Sequence, residues 1–462
     1  MGDSGTSLEQ QLAQFVAGFG VDHIDTQARD CAKGLIKDQL AIQIGACGLP
    51  WSRQVRASRR LQAGRSTVVG ESGLASALDA AYLNATYGHG FEYDDYAGNA
   101  HPGCCVVPVA LALGEEVDAT LGRMLVAMLA GYEAYVRIGH LASPELLNAG
   151  WQPHSVLANF GAAAVAARMH ELDANTTLHA LSIALSHASG TTEYASTGGS
   201  IKRAHAGMAV RNGIESVALA RAGITGPQRF LTGDRGLYRT FVRKVVGDDA
   251  GATFLPGQPL AIRQLAYKAY CCCAANHAYI EALAPVRGRA ADIIGIDARI
   301  QTMTDAIVGN RNAHIYAPRN IEELQYSLPV QMALSALGKG NGYRTHRNYL
   351  DGRLDLGLDS EVLAMARRIR LEVSPALDRQ YPRTFVADLT VHFQDGSSEH
   401  LFVDRVTGRP DKPFSRVEHQ AKLDELTIDT LGPVRSAQLF ALVDALPPDT
   451  PVRELTALLN PR

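Results

Sequence analysis

The chain has 462 residues and a formal net charge of −3, from 44 Lys and Arg against 47 Asp and Glu. Its length allows one large domain or two to three ordinary ones. The even charge balance gives no footprint for general nucleic-acid binding. An apolar fraction of 46% excludes a disordered chain.

Segments for export or membrane insertion are not expected. The start of the chain has no cationic and apolar leader pattern. No run approaches the roughly 18 apolar residues that a membrane span requires. The seven cysteines include adjacent pairs, which are poor disulfide partners. We therefore predict a reduced, cytoplasmic protein without membrane or nucleic-acid partners.

The first 260 residues are predicted to be mostly helical. Apolar residues at three-and-four spacing over 121–136 predict one helix, with Asp118 as its start signal. The same spacing over 74–85 predicts another. The Ala-rich stretch 161–169 suits a buried helix, and 210–222 has a further helical pattern.

Strands are predicted only later in the chain. Apolar residues alternate with polar ones over 369–373 and 385–393, and Asp395-Gly396 supplies a turn before a return strand at 400–403. This pattern predicts a hairpin. After a predicted linker at 408–413, helical spacing returns to the end of the chain.

These patterns predict a mainly α protein with a discontinuous organisation. We call residues 1–265 and 405–462 the body, a helical part that surrounds the rest of the chain in sequence. We call residues 266–404 the lid, and expect a smaller inserted α+β domain. A cleft between body and lid would be the default ligand site.

The acidic loop, residues 88–103, is the first segment that could carry chemistry. It places Glu92, Asp94, Asp95 and His101 between glycines, and loops on rigid scaffolds often carry sites. A solvated acidic turn would have the same composition. A metal is possible, but no tight ligand spacing such as His-x-x-x-His is present.

The glycine-rich segment, residues 196–207, is the second segment that could carry chemistry. It runs from small residues into a helical pattern, where Lys202 and His205 would share a face. Cations at a helix start can hold carboxylates or phosphates. The order does not match a P-loop, and a helix entry with exposed bases is the alternative.

The cysteine segment, residues 268–277, is the third segment that could carry chemistry. Its sequence is Lys-Ala-Tyr-Cys-Cys-Cys-Ala-Ala-Asn-His. Adjacent thiols cannot easily reach one zinc ion together, so buried packing is the favoured interpretation of the cysteines. His277 alone would usually be a core histidine.

Together, the order and spacing of these three segments resemble the MmgE/PrpD family, which includes 2-methylcitrate dehydratase, cis-aconitate decarboxylase and iminodisuccinate epimerase. Further matching stretches lie at 222–227, 327–329 and 408–410. The resemblance covers nearly the whole chain. It implies that the body is one large all-helical domain built from both chain ends, with the smaller α+β lid inserted. It also implies a homodimer, a small carboxylate substrate, and no cofactor or metal.

The resemblance also implies the site residues. The residues expected to be catalytic are His101, His277, Lys202 and Asp94. The residues expected to bind substrate are Glu92, Asp95, Tyr96, Gln152, His154, Arg203, His205 and Tyr326. Reactions next to a carboxylate pass through carbanion or enolate character, which requires a base, an acid and cations over the carboxylates. Imidazole suits the proton transfers because it titrates near ~6.5.

Two positions depart from the family pattern. Val330 stands where decarboxylase-like members carry a Tyr near the substrate, and Tyr326 could replace that Tyr only if the register shifted. Gln152 stands where relatives have His, and His154 follows two residues later. We therefore expect a lyase that acts on a di- or tricarboxylic acid. The favoured reaction is dehydration of a 2-alkylcitrate-like acid. An epimerase, a cis-aconitate-type decarboxylase and an inactive dimeric binding protein are the alternatives, in falling order.

Overall fold

The computed structural model describes residues 6–98, 100–255 and 257–460. The first five residues, on which the prediction of no leader depends, lie outside them. Within the described residues, no helix combines the length and apolarity needed to cross a bilayer. All seven cysteines are free thiols.

Helices dominate the body. Those before the lid are α1 (Leu8–Gly18), α2 (Thr26–Ala46), α3 (Pro50–Ala57), α4 (Ala77–His89), α5 (Gly103–Glu116), α6 (Leu121–Ala142), α7 (Glu145–Asn148), α8 (Pro153–Met169), α9 (Ala174–Leu185), α10 (Glu193–Thr197), α11 (His205–Arg221) and α12 (Leu237–Phe241). A small antiparallel pair, β1 (Ala63–Thr67) and β2 (Leu74–Ala75), precedes α4.

The lid alternates short helices with strands. Its helices are α13 (His277–Ala282), α14 (Thr302–Val308), α15 (Ile321–Gln325), α16 (Leu328–Ala336), α17 (Tyr343–Leu350) and α18 (Glu361–Ala366). Its strands are β3 (Ile293–Ile300), β4 (Ile369–Val373), β5 (Ala387–Phe393) and β6 (Ser398–Val403). The chain ends with α19 (Arg416–Leu431), α20 (Pro433–Ala445) and α21 (Val452–Thr456).

The core of the body is a set of closely packed helices. Helix α8 packs against α6 and α11, and α4 packs against α5 and α11. Small residues allow this approach: a Cβ at Gly213 of α11 would lie 2.5 Å from the Cβ of Ala162 on α8. The predicted buried helix at 161–169 is the second half of α8, and its alanines are fully buried.

Helices from the end of the chain pack on helices from its start. Helices α19 and α20 contact α2, and α21 contacts α5. Leu439, Val443 and Leu455 are buried there in the same apolar core as α1 and α2. These contacts agree with a body made from both ends, and the boundaries at 265 and 404 stay predictions, as does the homodimer.

The lid contains a four-stranded sheet in the order β4-β3-β5-β6. Strands β3 and β4 are parallel, and the other pairs are antiparallel. The predicted hairpin is confirmed as β5 and β6, with Gly396 in the turn at φ 82°. Helix α13 packs against β5 and β6, and α16 packs against β4.

Two predicted helix starts are wrong. Helix α6 is capped by Thr120, whose hydroxyl accepts a hydrogen bond from the Arg123 N–H at 3.3 Å, whereas Asp118 lies in the preceding turn at φ 52°. The helix predicted over 74–85 begins only at Ala77, because Leu74 pairs in β2 and Ser76 caps α4. Apolar spacing alone could not show either cap.

Candidate active site

Asp95 fixes the acidic loop onto the start of α5. Its carboxylate accepts hydrogen bonds from the Gly103 backbone N–H and from the Gln39 side chain, both at 3.1 Å. A Cβ at position 103 would collide with this carboxylate, so glycine is required there. Burial, together with the nearby charge of Asp94, raises the pKa of Asp95 to about 7. Asp95 therefore fixes the conformation of the acidic loop by binding it to the first residue of α5.

Asp94 holds two histidines. Its Oδ2 lies 2.8 Å from His89 Nδ1 and 3.3 Å from His101 Nδ1. Burial alone would raise the pKa of Asp94, but His101, His89 and Lys268 hold it well below its ordinary value. The carboxylate is therefore ionised and can stabilise an imidazolium at His101.

His101 is the histidine of this group that faces open space. Its side chain is 16% exposed, whereas the side chains of His89 and Asp94 are fully buried. Its Nδ1 is also 2.9 Å from the Asp95 carbonyl, a contact that requires an N–H at that nitrogen. With Nδ1 occupied in this way, Nε2 is the nitrogen positioned for proton transfer to a substrate.

His154 supports the group from behind. Its ring stacks on His89 with centroids 4.5 Å apart, and its Nδ1 lies 2.8 Å from the Tyr135 hydroxyl. That hydroxyl accepts the backbone N–H of His101 at 3.2 Å. Burial lowers the pKa of His154 to about 3, so the ring stays neutral and acts as packing and hydrogen-bonding support.

Glu92 is the centre of a second, lysine-containing group. Its carboxylate pairs with Lys202 and with Lys268, the latter at 3.0 Å, and accepts the Tyr326 hydroxyl at 3.3 Å. Glu92 has φ 57°, a left-handed conformation that is uncommon for a residue with a side chain and is concentrated at functional sites. The fold thus holds this carboxylate between two ammonium groups.

Lys202 is the most perturbed cation of this group. It lies in a short 3₁₀ helix, residues Ile201–Ala204, immediately before α11. Burial lowers its pKa well below the ordinary value, and the nearby charges of Lys268 and Arg203 act in the same direction. Lys202 can therefore serve as a proton donor as well as a cation.

A cavity of about 410 Å³ opens between these groups, which we call the catalytic cavity. Its walls come from the acidic loop, the 147–153 and 192–202 segments of the body, and the lid from 268 to 385. The predicted site residues that line it are Glu92, Tyr96, His101, Gln152, Lys202 and Tyr326. Arg311 and Lys268 add two further cations to the wall.

The remaining predicted site residues do not line this cavity; they are Asp94, Asp95, His154, Arg203, His205 and His277. Arg203 joins body and lid instead: its guanidinium donates to the Gly90 carbonyl and, at 2.7 Å, to the Gln325 side chain. It also lies over the Trp51 ring at 4.6 Å. His205 is buried with its ring edge-on to Tyr194.

His277 is not brought to the cavity. It is the first residue of α13, is fully buried, and its Nε2 lies 3.4 Å from the Cys272 carbonyl. The Tyr270 ring meets it edge-on at 5.1 Å. Burial, with the charge of Lys268, lowers its pKa to about 3. The geometry thus favours a neutral core histidine, the alternative to the catalytic role implied by the resemblance.

Five contributors were not among the predicted site residues: His89, Tyr135, Tyr194, Lys268 and Arg311. Lys268 was visible in the cysteine segment, but nothing in its spacing indicated a contact with Glu92. Tyr194 lines the cavity, and its ring meets that of Tyr326 edge-on at 6.3 Å. His89 ends a helix, where a histidine is ordinary, so only its contact with Asp94 reveals its role.

With this geometry described, comparison with known families is decisive. The model of the MmgE/PrpD N-terminal domain matches residues 10–246, and that of the MmgE/PrpD C-terminal domain matches residues 270–446. This chain belongs to the MmgE/PrpD family. The resemblance and the mainly α fold class predicted from the sequence are both confirmed.

Similar proteins within the family carry one activity in their names. Cis-aconitate decarboxylase from Aspergillus terreus is 24% identical over 480 residues, which covers 98% of this chain and 96% of that protein. Human cis-aconitate decarboxylase is 28% identical over 297 residues, covering 61% of this chain and 60% of that protein. Decarboxylases are lyases, so these relatives agree with the predicted class at that level.

In the part of the chain that the structure describes, two sets of side chains lie close enough to surround a metal ion: His89, Cys104 and His154, and His89, Asp94 and His101. Both fit poorly as ligand sets. The His101 Nδ1 must carry a proton for the Asp95 carbonyl. Burial raises the pKa of the Cys104 thiol well above its ordinary value, whereas metal ligands must be deprotonated. The chemistry of the donors therefore favours a hydrogen-bonded cluster.

Proposed function

We propose that this protein is a lyase that acts on a small di- or tricarboxylic acid, and that its reaction is decarboxylation of an unsaturated tricarboxylate such as cis-aconitate. The observation that carries the proposal is the catalytic cavity, in which His101 faces the same space as Lys202 and Lys268. The names of the relatives support the choice of decarboxylation.

The cavity has the charge that such a substrate requires. Lys202, Lys268 and Arg311 line it, and among the described lining residues Glu92 is the only carboxylate. A bound polycarboxylate can take over part of the ammonium contacts that Glu92 makes in its absence. Charge-assisted hydrogen bonds of this kind are stronger than neutral ones, particularly where water is excluded. We infer that these cations hold the carboxylates that remain in the product.

Proton transfer is assigned to His101. When the bond to the departing carboxylate breaks, CO₂ leaves and its electron pair enters the allylic system, which the cations stabilise as an enolate-like anion. The imidazolium form of His101, whose Nδ1 lies 3.3 Å from the Asp94 carboxylate, then donates its Nε2 proton to carbon. A proton from water restores the imidazolium, so the cycle balances with one proton consumed for each CO₂ released.

Tyr326 weakens the sequence-based objection to decarboxylation. Val330 is fully buried in α16 and does not line the cavity, whereas Tyr326 lies in the cavity wall at the end of α15. Its hydroxyl reaches Glu92 directly. A tyrosine thus lies in the cavity despite the departure at 330. Dehydration, favoured from the sequence, would use the same histidine and cations and is the alternative to exclude.

The test is a panel of acids in deuterium oxide. Purified protein is incubated with cis-aconitate, citrate, 2-methylcitrate and iminodisuccinate, and products are followed by NMR and CO₂ release. Release of CO₂ with one deuterium on a product carbon supports the proposal. Water loss with new alkene absorbance would assign dehydration instead, and exchange without net loss would assign epimerisation. Inertness towards the whole panel would contradict an enzyme of these acids.

A further inference from the structure

A second cavity of about 600 Å³ adjoins the catalytic cavity. The two share four wall residues, Tyr96, Gly98, Ala274 and Phe385. Body residues, including 406–411, form one side of the second cavity, and lid residues, including 382–385, form the other. It is therefore a second compartment of the same cleft, and we call it the arginine chamber.

Arginines give this chamber its charge. Arg263, Arg383 and Arg409 line it, and Asp411 is its only lining carboxylate among the described residues. Asp411 pairs with Arg409 at 3.3 Å, and Arg263 pairs with Asp25 outside the chamber. Three guanidinium groups in one concave space exceed what a single lining carboxylate can neutralise.

Arg383 is the chamber arginine whose charge is not paired with a carboxylate among the described residues. Its guanidinium donates to the neutral side chain of Gln380 at 2.7 Å. Within the part of the chain that the structure describes, no carboxylate lies in ion-pair distance of it. An arginine normally finds a planar anionic partner where one is in reach. Arg383 thus presents donors that a carboxylate in the chamber could accept.

Arg409 links the chamber to the shared wall. Its guanidinium donates to the Arg383 carbonyl at 3.2 Å. Its positive charge lies close to the Tyr96 phenol, where it partly offsets the rise that burial causes in the pKa of Tyr96. Tyr96 follows the acidic loop carboxylates directly in the chain and is paired by its backbone with Ala266. The chamber's cations are therefore placed at the boundary with the catalytic cavity.

We propose that the arginine chamber is a binding site for a small polycarboxylate, which it captures before the anion passes Tyr96 and Phe385 into the catalytic cavity. The substrate class rests on the proposed function. The protein as a whole carries a net charge of −3, which disfavours approach of a trianion at long range. A local positive chamber reverses that field at the entrance and raises the capture rate.

The kinetic test uses Arg383→Gln and Arg383→Glu, because this side chain has one neutral bond to lose and its replacement should leave the fold intact. Arg367→Gln and Arg367→Glu are the matched controls, since Arg367 is an exposed lid arginine outside both cavities. At low ionic strength, Arg383→Glu should lower kcat/KM by about 10-fold with kcat unchanged. The loss should shrink to about twofold or less at high salt, because salt shortens the Debye length and so screens the charge at position 383 from the substrate.

The binding test does not depend on turnover. Citrate, as a tricarboxylate probe, is titrated into the Lys202→Met protein, whose catalytic cavity lacks one cation. Adding Arg383→Glu should weaken the remaining citrate binding by about 10-fold, and adding Arg367→Glu should leave it unchanged. Inorganic phosphate at matched ionic strength should displace citrate poorly. Equal displacement by phosphate would overturn the assignment to a polycarboxylate.

The outcomes separate this proposal from the proposed function. If no acid on the panel reacts but Arg383→Glu still weakens citrate binding selectively, the chamber stands and the proposed reaction fails. If cis-aconitate is decarboxylated but the Arg383 and Arg367 variants behave alike in both kinetics and binding, the chamber is overturned and the reaction stands.

Discussion

The acidic loop and the cysteine segment reach the catalytic cavity in different ways. The loop brings Glu92, Asp94 and His101 to one place, because Asp95 fastens it to α5. The cysteine segment contributes Lys268, Cys273 and Ala274 to the cavity wall, and Lys268 contacts Glu92. Its histidine turns into the lid interior as α13 begins. A motif shared with a family therefore shows that a segment matters, but not which of its side chains faces the substrate.

The largest expected effect is on the loop side of this comparison. His101→Ala should lower kcat by about 100-fold or more, the usual loss when a general acid or base is removed. The measurement is steady-state turnover on the acid identified from the panel, with unfolding temperature as the check on folding. Near wild-type turnover in this variant would remove the central residue of the scheme.

Asp94→Asn sharpens the same prediction. The amide keeps the shape but cannot stabilise an imidazolium, so kcat should fall while the cavity stays intact. A lowered apparent pKa for the acidic group in the pH–rate profile would show that Asp94 acts through His101. An unchanged profile would mean that Asp94 only supports the loop.

The next effect lies in the lysine-containing group, where the two regions meet. Lys202→Met should raise KM and lower kcat/KM by about 10-fold or more, because it removes a cation that contacts substrate in the ground and transition states alike. It also leaves Glu92 with one ammonium partner, and breaking a buried ion pair costs about 3–5 kcal/mol. Unfolding temperature must therefore be measured beside the kinetics. An unchanged KM would place substrate away from this cation.

A smaller effect is expected on the lid side. His277→Gln should keep kcat within about threefold of wild type, since the ring does not line the cavity. The substitution should instead change how the free energy of unfolding depends on pH. Its pKa is about 3 in the folded protein and about 6.5 in an unfolded chain. Between these values the unfolded chain binds more protons, so the stability is complete above pH 6.5 and is lost as pH falls towards 3.

The measurement is the free energy of unfolding from pH 7 to pH 4 for both proteins. In wild type, this histidine adds a loss of about 1.4 kcal/mol per pH unit below pH 6. The variant should show a shallower fall over the same range. A 100-fold drop in kcat with an unaltered pH–stability curve would instead support the catalytic role that the resemblance implies.

Local pattern accounts for what could be predicted of this molecule. Period two showed the β5–β6 hairpin, three-and-four spacing showed α6, and the Ala-rich apolar stretch showed the second half of α8, because each pattern is complete within one element. The acidic loop residues could be grouped because they are neighbours in sequence. The contacts of Glu92 with Lys268 and Tyr326 span 176 and 234 residues. They depend on how the lid packs on the body, which no local pattern carries.

The smallest expected effect is none at all, and it concerns the cluster behind His101. Dialysis against a strong chelator should leave turnover unchanged, because the donors of this cluster are arranged for hydrogen bonds. His89 and His101 share the Asp94 carboxylate, and the Cys104 thiol keeps its proton because burial raises its pKa. A metal would have to displace the His101 proton that the Asp95 carbonyl accepts, which would alter the tautomer on which proton transfer at Nε2 depends.

The control is added Zn²⁺, which should inhibit if it binds at all. Activity that is lost on chelation and restored by one divalent ion would show that the cluster is a metal centre and that His101 is a ligand.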